Sequence, residues 1–308
     1  MQQSDKAGLV FALAGFVLLS IGDAIVKSIA DEWTPTALAA FRYSLGFAAL
    51  SGLLAYKEGG APFRTIPRPA IQAMRGLGVG IATLAFFGSV WLMPLADAVA
   101  ITFTQPMITA LLASVFLGER LRASTIIATI VAFIGVLIIL RPNFAEIGFA
   151  ALLPVLCAFG MAVLMTANRA ARGAGSSLAA QVYVAGGAAV VLVSAAVLGE
   201  ASGYAAVDFY WPEWHVMARA ACVAVTATCA HWLIFMGTQR AGAATIAPMT
   251  YVQILVATTL AWIFFNEAPD AIAMGGAALI IGSGLWLWYL GRRRDAASST
   301  VSRGVSRR

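Results

Sequence analysis

Charged side chains are scarce in this sequence. Asp, Glu, Lys and Arg make up 11% of its 308 residues, whereas soluble proteins carry about 25%. Hydrophobic residues make up 61% of the chain, and its mean hydropathy is +0.86. The composition therefore excludes an ordinary soluble domain and predicts an integral membrane protein.

Cysteine and histidine are also rare. The three cysteines, Cys157, Cys222 and Cys229, are odd in number and lie in apolar segments, so they do not indicate a disulfide framework. The two histidines, His215 and His231, share no ligand spacing, and no nucleophile motif or pair of acids at one depth is present. We therefore predict no metal, no cofactor and no enzymatic activity.

Apolar runs of about twenty residues recur along the chain, and each is long enough to cross a bilayer as a helix. Loops rich in charge, Gly and Pro separate these runs. The resulting all-α prediction has ten transmembrane helices, at residues 8–29, 35–55, 71–92, 97–117, 124–140, 148–168, 177–198, 216–237, 243–265 and 271–290. The first run is too long for the apolar region of a signal peptide, so we expect it to be retained.

One stretch of the chain occurs twice. Pro94–Glu119 returns as Gly242–Glu267 at an offset of 148 residues, and in this register Gln105 matches Gln253. Each copy contains five predicted helices. Because five is odd, the second copy must enter the membrane from the opposite side, which predicts two inverted repeats around a central cavity.

The charges of the loops agree with ten spans. Lys and Arg gather in every other loop and in the tail, so the positive-inside rule predicts an inner (plasma) membrane protein with both termini in the cytoplasm. The halves are predicted at 8–140 and 148–290. The basic, Ser-rich tail at 291–308 is expected to be disordered and drawn to anionic headgroups. Since the net charge of +6 lies in loops and tail, it indicates no nucleic-acid partner.

The repeated unit resembles a known family. Pro106, the apolar run after it and the terminal Gly118-Glu119 resemble the repeat of EamA-type transporters in the drug/metabolite transporter superfamily. The second copy departs from this pattern, with Ile254 at the Pro position and Asn266 at the Gly position. The resemblance implies ten helices around a cavity and transport of a small organic solute by alternating access.

Two further similarities lie in the first two helices, where Asp23-x-x-x-Lys27 and Phe41-Arg42 are similar to members that carry organic metabolites. The family includes exporters of amino acids and transporters of riboflavin or S-adenosylmethionine. Export of amino acids or related compounds is the first prediction, because the short outer loops offer no capture domain. Uptake of a larger planar metabolite is the alternative, and a non-transporting membrane scaffold or an intramembrane enzyme is the alternative of another class. A homodimer is compatible with the sequence, although one chain is expected to contain the pathway.

Ionisable side chains inside helices are candidate binding residues, because they are costly in lipid unless paired or wetted. Asp23 and Arg42 lie at similar depth near the outer ends of their helices. They are expected either to form a structural ion pair or to belong to a site where Arg42 or Lys27 meets a substrate carboxylate. In a further reading, Lys27 extends outward to the membrane surface.

Polar and aromatic residues at matched positions complete the predicted site. Phe87 matches Phe235 at the same offset, and His231 lies one turn before Phe235. Alternatives are hydrogen bonds that only hold helices together, aromatic rings that face lipid, Trp91 as an interface anchor and His231 as a proton-coupling group. The predicted substrate-binding residues are Gln105, Gln253, His231, Phe87, Phe235, Trp91, Arg42, Lys27, Thr102, Thr109 and Tyr251.

Two pairs of residues in the repeat are assigned to helix ends and kinks. Glu119 and Glu267 end matched helices, and since acids are disfavoured there they are expected to bind loop donors or basic neighbours. Pro106 and Pro248 interrupt the fourth and ninth helices at different heights, which predicts kinks that serve a gate or a static bend.

Overall fold

The computed structural model describes residues 3–118, 123–171, 175–241 and 246–305, and within them the chain forms helices and no strand. Ten helices are long and apolar enough to cross a membrane. They are α1 Gln3–Ser28, α2 Pro35–Glu58, α3 Pro69–Leu92, α4 Leu95–Leu117, α5 Ala123–Ile147, α6 Leu153–Ala170, α7 Ser177–Ser202, α8 Trp214–Ala241, α9 Val252–Phe265 and α10 Ala271–Val305. The predicted all-α membrane protein with ten spans is confirmed.

Proline sets where several helices begin. Pro35 and Pro69 are the first residues of α2 and α3, and Pro154 is the second residue of α6. At these positions the missing N–H has no partner to lose, and the fixed φ angle suits the helix. The boundaries of these spans are therefore encoded locally.

Helix α4 is not continuous. Its segments Leu95–Thr102 and Gln105–Leu117 are joined by a turn at Phe103 and Thr104. Pro106 follows this break and cannot donate the backbone hydrogen bond that a continuous helix requires.

Helix α9 is interrupted at the equivalent place. A 3₁₀ turn, Ala247–Tyr251, precedes Val252–Phe265, and Pro248 lies in that turn. At the 148-residue offset Tyr251 matches Phe103, so the repeats break at the same position. The two prolines themselves lie on opposite sides of this common break.

The helix packing has the same pattern in both halves. Helix α1 packs along α8 as α6 packs along α3, and α1 contacts α9 as α6 contacts α4. Exchanging each helix for its counterpart five positions later leaves these contacts unchanged. This is the arrangement that a two-fold relation between halves 8–140 and 148–290 predicts.

Small residues form the main helix crossings. The backbones of Gly78 and Gly160 meet where α3 crosses α6, and a Cβ added to Gly160 would lie 2.6 Å from the Gly78 carbonyl oxygen. The crossing of α1 and α8 is built in the same way, since a Cβ on Gly237 would lie 2.7 Å from the Gly8 carbonyl oxygen. Close approach of this kind is how helices associate in lipid.

The repeat motif ends in the same backbone conformation in both halves. Gly118 has φ 67° and its N–H bonds to the Ala113 carbonyl, while Asn266 has φ 55° and its N–H bonds to the Ala261 carbonyl. Asparagine is one of the few residues besides glycine that tolerate this left-handed conformation. The departure of the second copy from the family pattern at this position therefore preserves the helix cap.

The tail differs from its sequence-based prediction. Helix α10 continues to Val305, so residues 291–305 are helical where disorder is expected. The segment extends a helix that is already nucleated, and no proline interrupts it.

Candidate functional site

Two matched residues of the repeats meet in the interior of the bundle. The rings of Phe103 and Tyr251 lie 5.4 Å apart at an interplanar angle of 33°. Tyr251 packs directly over Gly284 of α10, where a Cβ would overlap its hydroxyl oxygen. Phe103 has no assigned role in the sequence analysis, although its 148-residue offset from Tyr251 could have identified it. The contact places the breaks of α4 and α9 side by side.

The matched glutamines next to these breaks differ in their contacts. The Gln105 amide donates to the Thr109 hydroxyl at 3.0 Å, and that hydroxyl donates to the Gln105 carbonyl oxygen at 2.8 Å. Thr109 is only 4% exposed. The Gln253 side chain is half-buried, and in the described chain it has no hydrogen-bond partner, although its backbone carbonyl accepts from Ser20 at 3.2 Å. Gln253 is thus the more available of the two amides.

Thr102 is also engaged locally. Its hydroxyl donates to the Val99 carbonyl oxygen at 2.6 Å, within its own segment of α4. Such a bond helps to satisfy the backbone near the end of a helical segment. It supports the break in α4, next to which Thr102 remains half-buried.

Arg42 is held by aromatic rings. Its guanidinium carbon lies 5.1 Å from the ring centre of Tyr43 and 5.6 Å from that of Phe87, both within the range of a cation–π interaction. Phe87 is 1% exposed and stacks on Trp91 with centroids 6.3 Å apart. Phe87 therefore packs against the Arg42 guanidinium and offers almost no surface to a solute. Thr83 donates to the Tyr43 hydroxyl at 3.1 Å, which orients the second ring.

Trp91 extends this aromatic group towards the end of the bundle. Its indole N–H donates to the Trp33 carbonyl oxygen at 3.2 Å. The side chain remains half-buried. Trp91 thus links the Phe87 ring to the turn between α1 and α2.

Asp23 and Arg42 lie within electrostatic range of each other, but no salt bridge joins them in the described chain. The side-chain oxygens of Asp23 have no hydrogen-bond partner there either. Neither residue has a buried, unsatisfied polar atom, so the heads of both remain accessible. The predicted direct ion pair is therefore not formed among the described residues.

His231 of α8 belongs to the same region. Its ring interacts electrostatically with Arg42, and the residue is exposed on the surface of α8. Its Nδ1 contacts the Ala227 carbonyl oxygen at 2.6 Å. The Phe235 side chain lies outside the part of the chain that the structure describes.

Lys27 is fully engaged. Its ammonium lies 2.6 Å from a carboxylate oxygen of Glu267 and donates to the Met93 carbonyl oxygen at 2.9 Å. The other carboxylate oxygen of Glu267 accepts from the Leu95 N–H at 3.0 Å, at the start of α4. The two side chains are 12% and 24% exposed. Neither reading of Lys27, as a substrate ligand or as an outward-extended cation, fits this arrangement, because its charge is neutralised by the second half of the protein.

A second ionic group lies at the same end of the bundle. Arg219 donates to one Glu32 carboxylate oxygen at 2.5 Å, and His215 contacts the other at 2.9 Å. Hydrogen bonds from Arg219 and then from His215 hold the pKa of the Glu32 carboxyl below its usual range. This end is the predicted outer face, where the odd-numbered helices α1, α3, α5, α7 and α9 end.

The remaining predicted residues are placed as follows. Pro106 is exposed and Pro248 is half-buried. Glu119 lies outside the described residues. Among the described residues no group of three or more His, Cys, Asp or Glu side chains could hold a metal ion.

Comparison with known proteins gives a consistent result. Residues 6–141 match the model of the EamA-like transporter family. The chain is 26% identical to an S-adenosylmethionine uptake transporter of Rickettsia bellii, over 92% of this chain and 93% of that protein. It is 29% identical to a riboflavin transporter of Rhizobium johnstonii, over 94% and 90%. It is 22% identical to a pseudopaline exporter of Pseudomonas aeruginosa, over 90% and 94%.

A solved crystal structure has the same fold. It is 20% identical to this chain and has a TM-score of 0.58 over 90% of this chain and 95% of the other. The repeat motif, the ten spans and the matched breaks agree with this similarity to EamA-like transporters, which the family model shows for residues 6–141 and the transporter relatives extend over most of the chain.

Proposed function

We propose that the protein is a secondary transporter that moves a small organic metabolite by alternating access between its two halves. The observation that carries the proposal is a group of accessible polar side chains on membrane-spanning helices, which lie within electrostatic range of one another. Asp23 and Arg42 come from the first half and His231 from the second. Polar groups of this kind are costly inside a membrane protein unless they serve a pathway.

The outer end of the bundle supports an occluding role for the ion pairs. Lys27 of the first half and Glu267 of the second join the ends of α1 and α9 next to the start of α4. A path that opens to the outside has to separate these residues or pass beside them. Rocking of one half against the other would break the contact reversibly.

The cargo is best described as a metabolite with a planar part. Two of the similar proteins are named for S-adenosylmethionine uptake and riboflavin transport, and a third is named as a pseudopaline exporter. The half-buried rings of Tyr43, which contacts Arg42, and Trp91, which stacks on Phe87, favour planar, polar solutes. Uptake of such a metabolite therefore becomes the first candidate. Export of amino acids or related compounds is the second, favoured by the small, accessible polar site.

We further propose a plasma-membrane location with cytoplasmic termini and no enzymatic activity. The positive-inside pattern of the loops supports the orientation. The similar proteins are named as transporters, which supports a non-enzymatic role.

The test is reversible locking of the outer end in proteoliposomes. Lys27→Cys and Glu267→Cys are introduced together after the three native cysteines are replaced, and a short thiol-reactive cross-linker joins them. Exchange of labelled S-adenosylmethionine, riboflavin and amino acids is then measured before cross-linking, after it and after reduction. Saturable exchange that falls at least tenfold on cross-linking and returns on reduction is expected.

A matched control uses Phe144→Cys and Phe149→Cys, whose native rings lie 5.6 Å apart around the link between α5 and α6. Cross-linking there should leave exchange unchanged. Exchange at the uncross-linked rate by the Lys27–Glu267 cross-linked protein would exclude opening at this point. The absence of exchange for every solute would contradict transport itself.

A further inference from the structure

The inference concerns the gap between Arg42 and Asp23 and rests on the proposed transport function. Both side chains are half-buried, and their charges interact across a distance longer than a salt bridge. In the described chain neither head has a hydrogen-bond or salt-bridge partner, and neither is sealed from solvent. Two opposite charges, on α1 and α2, thus lie within electrostatic range of each other without direct contact.

A purely structural pair would be expected to close this gap. Separated charges inside a bundle each lose part of their hydration, and only direct contact with good geometry offsets that loss. The Lys27–Glu267 pair shows that this protein forms such contacts, because its charged atoms meet at 2.6 Å. The separation of Asp23 and Arg42 therefore indicates that a ligand supplies the missing ionic partner of each side chain.

The surroundings of Arg42 fix how it would bind. The rings of Tyr43 and Phe87 lie against the guanidinium, and the Tyr43 hydroxyl is itself held by Thr83. Contacts with ring faces leave the N–H groups at the edge of the guanidinium free. A planar fork of donors held in this way matches a carboxylate, which it can bind through two parallel hydrogen bonds.

Other charged or titratable groups near Asp23 leave it as the acceptor for a cation. Lys27, one turn later on α1, is neutralised by Glu267. Cys157 of α6 interacts electrostatically with Asp23, and His231 of α8 lies near Arg42. None of these forms a salt bridge with Asp23 in the described chain, so its carboxylate can receive an ammonium group.

We propose that this site takes a zwitterionic solute, whose carboxylate binds Arg42 while its ammonium group binds Asp23. An α-amino acid head has both charges a few bonds apart and can bridge two protein charges that do not touch. The substrate class is therefore a metabolite with an aminocarboxylate head.

The test combines protein variants with truncated ligands. Purified protein in detergent is titrated with L-tryptophan, L-histidine and L-glutamine, and with riboflavin as a solute that lacks an aminocarboxylate head. For the amino acid that binds most tightly, the decarboxylated and the deaminated analogues are titrated as well. The proteins are the wild type, Arg42→Gln and Asp23→Asn.

The proposal predicts a specific pattern of dissociation constants. Arg42→Gln should weaken binding of the zwitterion roughly 100-fold, as expected when one partner of a desolvated charge pair is removed. It should change binding of the decarboxylated analogue less than threefold, because that ligand has no carboxylate to lose. Asp23→Asn should weaken the zwitterion and spare the deaminated analogue.

Two variants serve as controls. Arg240→Gln removes a cation that stacks on Phe11 at 4.7 Å elsewhere in the bundle, and Asp31→Asn removes an exposed acid at the outer turn. Both should bind every ligand as the wild type does. A circular-dichroism spectrum and a thermal transition confirm that each variant is folded before it is titrated.

The remaining outcomes overturn the inference. These are loss of all ligands by equal factors, zwitterion affinities within twofold of the wild type, or no binding of any of the three amino acids. If riboflavin binds and is exchanged while no amino acid does, the transport function stands and the zwitterion site is wrong. If proteoliposomes exchange no solute at all, the proposed function fails as well.

Discussion

The charges at the outer end of this protein are paired, whereas those in its interior are not. At the outer end Lys27 meets Glu267, and Arg219 and His215 meet Glu32. In the interior Arg42 rests on aromatic rings, and in the described chain it forms no salt bridge with Asp23. Both regions have similar chemical groups, and they differ in whether those groups are satisfied by the protein itself.

The paired charges are expected to stabilise the helix arrangement, whereas the unpaired charges are expected to bind a ligand. A carboxylate and an ammonium in contact stabilise the arrangement of helices that brings them together, and removing one partner leaves the other unpaired. Replacing a cation that rests on rings should cost little stability, because no described residue is in direct ionic contact with it. We therefore expect substitutions at the outer end to affect stability first, and charge substitutions in the interior to affect transport first.

The largest effect is expected at the outer end. Glu267→Gln keeps an acceptor for the Leu95 N–H but removes the anion that neutralises Lys27. The free energy of unfolding should fall by about 3 kcal/mol, near the low end for a broken buried pair because both side chains keep some exposure. Denaturant unfolding in detergent measures it.

The double variant Lys27→Met with Glu267→Gln, which also keeps the acceptor for the Leu95 N–H, serves as the control for this prediction. Removing both charges leaves no unpaired ion, so most of the lost stability should return. Unfolding of Glu267→Gln at the wild-type midpoint would show that the pair does not hold the outer end.

In the interior, adding volume should reduce the stability of the protein more than removing a charge does. Gly284→Ala places a methyl group on the Tyr251 hydroxyl and forces this ring away from Phe103. Overpacking of this kind costs about 2 kcal/mol, and the same displacement should slow solute exchange. The thermal transition and the exchange rate are measured together.

Gly282→Ala on the same helix is the matched control, because its added Cβ would have no atom within 4 Å. It should keep both the transition and the rate of the wild type, or rise slightly in stability. Equal behaviour of the two alanine variants would contradict a tight contact between Tyr251 and α10.

Removal of the interior cation should have a small effect on stability. Arg42→Met keeps a long side chain over the rings of Tyr43 and Phe87 and deletes a charge that has no salt-bridge partner among the described residues. The free energy of unfolding should change by less than about 1 kcal/mol, a typical value for a cation–π contact. Solute exchange should be strongly reduced in the same sample.

A loss of stability as large as that of Glu267→Gln would make Arg42 a structural residue like Lys27. The comparison between the outer end and the interior would then fail. Chemical unfolding of the two variants under one condition decides this.

The smallest effect is expected from pH acting on the outer turn. The pKa of Glu32 is lowered in the folded protein by Arg219 and His215. A group with a lowered pKa contributes stability above its unfolded value of about 4.3, and this contribution is lost as the pH falls through the lower folded value. The melting temperature should therefore decline below that range.

In Glu32→Gln this part of the pH dependence should disappear, while the region above pH 6 stays parallel to the wild type. A curve for Glu32→Gln with the same acid slope as the wild type would assign the decline to other carboxylates. Melting curves across the acid range test it.

The sequence by itself determined the membrane class, the ten spans and the 148-residue register of the repeat. Length and hydropathy suffice for the spans because a bilayer fixes how many apolar residues a helix needs. The 148-residue register also matches Phe103 to Tyr251, whose rings are in contact in the structure. The left-handed cap at Gly118 and Asn266 follows from residue type alone.

Only the tertiary structure decided which charges are paired. The depth of Lys27, Asp23 and Arg42 along their helices can be counted from the sequence, but the direction of each side chain around the helix axis and the identity of the facing helix cannot. Packing of α1 against α9 gave Lys27 the carboxylate of Glu267, a residue 240 positions away. The rings of Tyr43 and Phe87 held Arg42, so the interior kept two charges that the protein does not neutralise by direct contact.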